Sequence, residues 1–275
     1  MTGTVNPKKR LGISEALFLS PLTTALRGRE GFMLTVDAPG RNALRLRGHD
    51  LDAALLSPID FAREGSLYRV VPGVAASSHS ANGAITLHFR EGLHDIATLA
   101  ADPALTSEIV LAKIILAEEF DVSPKIVPFQ GPLDAMLGKA DAALLAGDAS
   151  LRETAVRHNV VDLVEAWGEM TDLPFAHCFW CARDEDLTEE EAKTLRQAGE
   201  EGTTLLDEIA ADASSHAHSS IPVAALKAHL ETFSYDFSDE AQEGLKEFLR
   251  YAYYHAILPD VPDIRWFGES SGEED

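Results

Sequence analysis

The stretch from Asp141 to Arg183 constrains the fold most, because it holds two apolar runs with different geometric consequences. The first, Ala142-Ala-Leu-Leu-Ala146, stops at Gly147-Asp148. A short apolar run ended by a turn predicts a buried strand. The polar residue at its carboxyl end then stands where open α/β sheets hold their ligands. The second run, Phe175 to Ala182, predicts a return crossing between two lobes. Together they predict an α/β protein whose two lobes close on a small molecule.

The rest of the chain fits alternating strands and helices. Lys9 to Ser14 predicts a first strand, and Ser20-Pro21 before Leu22 to Leu26 predicts a cap with proline at the first helical position. Strands follow at Phe32–Val36 and Asp52–Ser57, with helices over Asn42–Arg47 and Ile59–Glu64. The motif Asp-Ala-Ala-Leu-Leu occurs at 52–56 and again at 141–145, which suggests one device used in two similar lobes. After a strand at Tyr68–Val71, the small-residue stretch Ala75 to Gly83 reads as a lobe crossing whose backbone can approach a ligand closely. Ala84–Phe89 is a strand, and Ile109–Phe120 is an amphipathic helix capped by Thr106 or Ser107. Free N–H groups at that helix start suit an anion. Lys125–Phe129 and Pro132–Leu137 predict a further strand and helix. Beyond Arg183 the chain turns helical, over residues 187–191, 202–213, 222–233 and 238–257, and the tail from Gly268 to Asp275 reads as frayed.

Composition removes several function classes. A formal charge of −22 disfavours contact with a phosphate backbone, which needs Lys and Arg to displace counterions. Nucleic acid is therefore not an expected partner. Carboxylates spread along the whole chain point to solubility in a salty cytoplasm. The apolar runs fall short of the roughly 20 residues a membrane span requires. The basic start, Met1 to Arg10, has no apolar stretch of the signal-peptide kind, so a cytoplasmic location is expected.

Other constellations carry less chemistry. Cys178 and Cys181 have the spacing of a redox or zinc half-site, but they lie in a strand and no further cysteine completes a thiolate set. Reduced, structural thiols are expected, and no metal. His216-Ala-His218 in a serine-rich loop is a weak ligand signal. Asp148 either caps the helix that follows, the commoner role for Asp there, or holds a ligand hydroxyl. Trp167 and Trp180 read as core anchors.

At Asp141-Ala-Ala-Leu-Leu145, Gly147-Asp-Ala149, Leu151-Arg152, Trp167, Thr171, Leu173-Pro-Phe175, Trp180 and Arg183 the sequence resembles the chorismate dehydratase family of menaquinone biosynthesis. That resemblance implies a two-lobed type 2 periplasmic-binding-protein-like fold with a helical C-terminal extension. Lobe one would comprise residues 10–86 and 180–275, and lobe two 87–179. It also implies loss of water from chorismate to give 3-enolpyruvylbenzoate, with no cofactor and a small carboxylated substrate as partner. The family's loop asparagine aligns with Phe18, its crossing serine with Ala84, and a common arginine with Leu105 or Thr106. Glu15, Ser20, Ser80 and Asn82 are the replacement catalytic candidates, although Ser80 and Asn82 also suit plain turn roles. Ser57, Ser77, Ser80, Asn82, Thr106, Ser107 and Asp148 are the expected substrate-binding residues. A non-catalytic small-anion sensor or carrier on the same fold is the alternative.

Overall fold

The computed structural model describes residues 8–153, 159–216, 218 and 220–268. The strands are β1 (Lys9–Ile13), β2 (Phe32–Val36), β3 (Ala53–Leu56), β4 (Tyr68–Ser78), β5 (Ile85–Phe89), β6 (Thr98–Ala101), β7 (Lys125–Pro128), β8 (Ala142–Ala146), β9 (Asn159–Asp162), β10 (Phe175–Arg183) and β11 (Arg265–Trp266). They form two sheets. A six-stranded sheet has the order β11-β4-β10-β3-β1-β2, and a five-stranded sheet has the order β7-β6-β8-β5-β9. The chain passes from the first sheet to the second between Ser78 and Ile85, and returns between Asp162 and Phe175.

The repeated Asp-Ala-Ala-Leu-Leu motif has a structural reason. It builds β3 and β8, buried strands that each lie inside their sheet. At the foot of β3 the Asp52 carboxylate accepts the Arg10 N–H of β1 at 2.6 Å. At the foot of β8 the Asp141 carboxylate accepts the Thr98 N–H of β6 at 2.8 Å. Both neighbours run parallel to the motif strand. Each aspartate thus takes up a backbone donor at the start of a parallel ladder, where a carboxylate makes a strong charge-assisted bond.

The helices are α1 (Pro39–Arg47), α2 (Pro58–Ala62), α3 (Thr106–Phe120), α4 (Leu133–Leu137), α5 (Asp148–Arg152), α6 (Leu163–Thr171), α7 (Glu189–Thr203), α8 (Leu206–Ser215), α9 (Val223–Leu230) and α10 (Asp239–Tyr254). The last four form the helical extension. Backbone contact holds it in place: a Cβ on Gly202 of α7 would lie 1.8 Å from the Pro21 carbonyl oxygen, and one on Gly244 of α10 would lie 2.0 Å from that of Pro174. Trp167 of α6 packs edge-on against Phe248 and Tyr251 of α10. Trp167 and Trp180 are both fully buried, as core anchors should be. No helix among the described residues is long and apolar enough to cross a membrane.

Several expectations are corrected. Pro21 does not open an α-helix; it lies inside a 3-10 turn over Leu17–Leu22, followed by another at Thr24–Leu26. The Tyr68 strand continues to Ser78 through Pro72 and Gly73, so the lobe crossing is shorter than composition suggested. Gly73 takes a left-handed φ of 73°, and β4 is paired with β10 on one side and β11 on the other. Pro72 and Gly73 form an irregularity, beyond which pairing with β10 on one flank, and of Ala75 and Ser77 with Tyr235 and Ser234 on the other, carries the strand on. Phe175 to Ala182 is not itself a crossing, since β10 pairs with β3 and β4 along the six-stranded sheet. Helix α7 starts at Glu189 behind a Thr188 capping box, and it carries Gly202 near its end rather than starting a helix there. The tail after Gly268 lies outside the described residues.

Candidate functional site

The carboxyl ends of β1, β2 and β8 meet the end of α8 around an open basin of about 660 Å³. Ser14, Glu15, Ser20 and Thr23 reach it from the loop after β1, and Asp148 and Arg152 from α5. Arg27, Asp212, His216 and His218 complete its polar lining. The volume lies within the range of small-molecule sites.

Asp148 ties these parts together. Gly147, at φ 54°, occupies the cap position of α5, and Asp148 is the first helical residue. The expected capping role is therefore replaced by a tertiary one. Its Oδ1 accepts the Leu17 N–H at 2.9 Å, and its Oδ2 lies 3.0 Å from His218 Nε2. One carboxylate thereby links the five-stranded sheet to the first loop and to the helical extension. His218 is only 2% exposed, and its Nδ1 is buried without a partner among the described residues. In sequence its loop reads as polar and solvated, and nothing local signals this burial.

Ser57, Thr106 and Ser107 come together, but on one another. The Ser107 hydroxyl donates to Ser57 Oγ at 2.9 Å, and Ser57 donates to Asp60 Oδ2 at 2.9 Å. The Ile59 N–H donates to Ser107 Oγ at 2.9 Å, and Thr106 Oγ1 lies 3.3 Å from Ser57 Oγ. The expected cap by Thr106 or Ser107 is absent: Leu105 is the cap residue without a side-chain bond, and both hydroxyls serve this bridge between α2 and α3. Burial raises the Asp60 pKa, offset in part by the Ser57 bond and by Arg63. Beside it, burial pushes half-buried Glu108 up to about 7, helped by Asp60 and Asp102.

The crossing residues separate. Ser77 is buried, and its backbone pairs with that of Ser234. Ser80 is exposed. Asn82 serves a turn: its Oδ1 accepts the Ala84 N–H at 2.9 Å, while the Asn82 and Gly83 N–H groups donate to Asp162.

Phe18 occupies the interior of the junction. It is 7% exposed, stacks on Phe233 with centroids 5.0 Å apart and a 9° tilt, and lies 5.3 Å from the His177 ring. Behind it, His177 Nε2 is 2.7 Å from Ser78 Oγ. Neither residue was singled out from sequence, since a lone histidine in an apolar run resembles any buried strand residue. Cys178 and Cys181 are free and buried, and burial raises both thiols well above their ordinary range.

Residues 9–254 match the family model described as menaquinone biosynthesis. The chain belongs to that family. This menaquinone-biosynthesis family member is 25% identical over 257 residues to the chorismate dehydratase of Thermus thermophilus, covering 86% of this chain and 93% of that protein. Among solved structures it is similar to a structural-genomics protein of Archaeoglobus fulgidus, with a TM-score of 0.74, 18% identity and coverage of 91% and 98%. It is also similar to the alkanesulfonate-binding protein of Xanthomonas axonopodis pv. citri bound to MOPS, with a TM-score of 0.68, 15% identity and coverage of 94% and 97%. These likenesses show the two-sheet fold of periplasmic binding proteins.

Proposed function

We propose that this family member is a hydro-lyase acting on a small carboxylated ring, with chorismate as substrate and 3-enolpyruvylbenzoate as product. One observation carries the reading: the basin lies at the carboxyl ends of strands from both sheets and brings Arg27 and Arg152 to the same space. Two guanidinium groups suit a substrate with two carboxylates, because each offers a planar fork of donors. The same basin also holds Glu15, Asp148 and Asp212, so the two arginines act as local donors within a mixed-charge lining. Loss of water makes the ring aromatic, so the protein's task is to orient the ring, exclude solvent and move protons. On this reading the two lobes are residues 10–86 with 180–275, and 87–179.

A second reading, a non-catalytic carrier or sensor for a small anion, is favoured by Phe18. Its ring fills the place where the family resemblance puts an asparagine, and it is packed on Phe233 and His177. Incubation with chorismate at high potassium chloride, followed by ultraviolet absorbance of the aromatic product, separates the two. Steady product formation is expected, lowered in Arg152→Ala. Calorimetric binding of chorismate with no product would establish the carrier instead.

A further inference from the structure

The Ser78–His177 pair is not accounted for by packing. Both residues are 4% exposed, and Phe18, Phe175 and Phe233 surround the imidazole with centroids 5.1–5.3 Å away. Replacing both partners of such a buried bond by apolar groups of the same shape is close to neutral for stability. A histidine and a serine are therefore not required to fill this space.

The strand geometry gives a second, independent indication. Phe175 and Ala176 of β10 pair with Ser78 and Ser77 of β4, but Cys178 pairs with Ala76. His177 is thus the extra residue of a β-bulge. Bulges re-aim a side chain and are common next to active sites. The bulge stands where β4 leaves the six-stranded sheet and β10 enters it, at the junction between the two sheets.

Phe18 covers this pair from the turn that also borders the basin. Its ring lies on His177, while Leu17 and Ser20 on the same turn line the basin. The turn is held by the Leu17 bond to Asp148. A space that accepts one flat ring stacked on Phe233 accepts another, and the arginines lie on the basin side for its carboxylates.

We infer that Ser78 and His177 form the proton-transfer pair of this protein, shut off by Phe18, and that a flat ring acid entering from the basin reaches them by displacing the Phe18 ring. The inference rests on the hydro-lyase reading. In the elimination, Ser78 Oγ takes the proton from the ring carbon that bears the ether and passes its own proton to His177 Nε2. The adjacent C–O bond breaks with its electron pair leaving on the hydroxyl oxygen, and the imidazolium proton completes the departing water. One C–H and one C–O bond are lost, one ring C=C bond and one O–H bond are gained, and no other reactant is needed. While Phe18 is in place, burial holds the His177 pKa down to about 3, reinforced by His229, so the imidazole is neutral. An imidazole held that low is a weak base, so the pair can accept the proton only once the acid has replaced Phe18 and its carboxylate supports the imidazolium.

The test uses the full chain and the variants Phe18→Ala, His177→Gln, Ser78→Ala and Phe18→Ala with His177→Gln, with Phe18→Leu in reserve should the alanine variant fail to fold. Diethyl pyrocarbonate modification is mapped by mass spectrometry, with benzoate as the ring-acid probe. In the unaltered protein His177 should stay unmodified while exposed His216 reacts. In Phe18→Ala, His177 should react and benzoate should protect it. With chorismate, Phe18→Ala should exceed the unaltered protein in kcat/KM, and adding His177→Gln or replacing Ser78 should remove about 10²-fold or more of turnover. A folded Phe18→Ala protein whose His177 stays protected overturns the inference. So does turnover that is indifferent to His177, which would leave the hydro-lyase reading intact. Benzoate-protected His177 without turnover in any variant overturns the hydro-lyase reading and the proton-transfer role together, leaving only a ring-acid pocket.

Discussion

Replacing Glu108 with glutamine should make the protein insensitive to part of its pH range. Glu108 sits in the first turn of α3, half-buried beside the interlobe hydroxyl bridge, and burial lifts its pKa from 4.5 to about 7. Below 4.5 the folded and unfolded chains both hold the proton, and the side chain is neutral in each. Between 4.5 and 7 the unfolded chain releases it while the folded chain keeps it, so stability falls as pH rises. Above 7 the penalty is complete. A shift from 4.5 to about 7 corresponds to about 3 kcal/mol, and partial exposure brings this to about 2 kcal/mol. Glutamine keeps the shape and cannot ionise. The stability difference between variant and unaltered protein should therefore be near zero at pH 4.5 and grow to about 2 kcal/mol by pH 8. Urea unfolding at matched ionic strength across that range measures it. Asp60 is close enough to titrate with Glu108, so the difference reports the carboxylate pair. A difference that stays constant over the whole range would refute the claim that burial at this junction keeps Glu108 protonated.

Two further perturbations test the framework around the basin. Gly202→Ala and Gly244→Ala should each cost about 3 kcal/mol or more, because the new methyl group meets a carbonyl oxygen of Pro21 or Pro174 within 2.0 Å; thermal unfolding checks this. Asp148→Ala leaves the Leu17 N–H and His218 without their acceptor and should cost about 2–3 kcal/mol in denaturant unfolding. The same variant should loosen the Phe18 turn, read as faster amide hydrogen exchange at Leu17.

Much of the architecture was legible because burial leaves a local trace. Ala53–Leu56 and Ala142–Ala146 are apolar since each is covered on both faces, and the aspartate before each repeats since each must take up the same backbone donor. Interlobe pairing leaves no such trace. Ser57, Thr106 and Ser107 were each readable as exposed helix-start residues, yet they satisfy one another across 49 or 50 residues of chain. Glu15, Ser20 and Asp148 do share one space, because all three follow strand ends. His177 stayed invisible because a bulge depends on the partner strand, and nothing in Phe175 to Ala182 records the extra residue.

The serine bridge between α2 and α3 has a kinetic consequence. A ligand that inserts between α2 and α3 must wait for those hydroxyls to part, so its measured dissociation constant is the intrinsic one divided by the fraction of molecules already parted. Association would then saturate with ligand concentration at the rate of parting, far below the diffusion limit. A slow, concentration-independent entry step is therefore the mark of insertion between these helices, and entry into the basin, which none of these hydroxyls lines, is free of it.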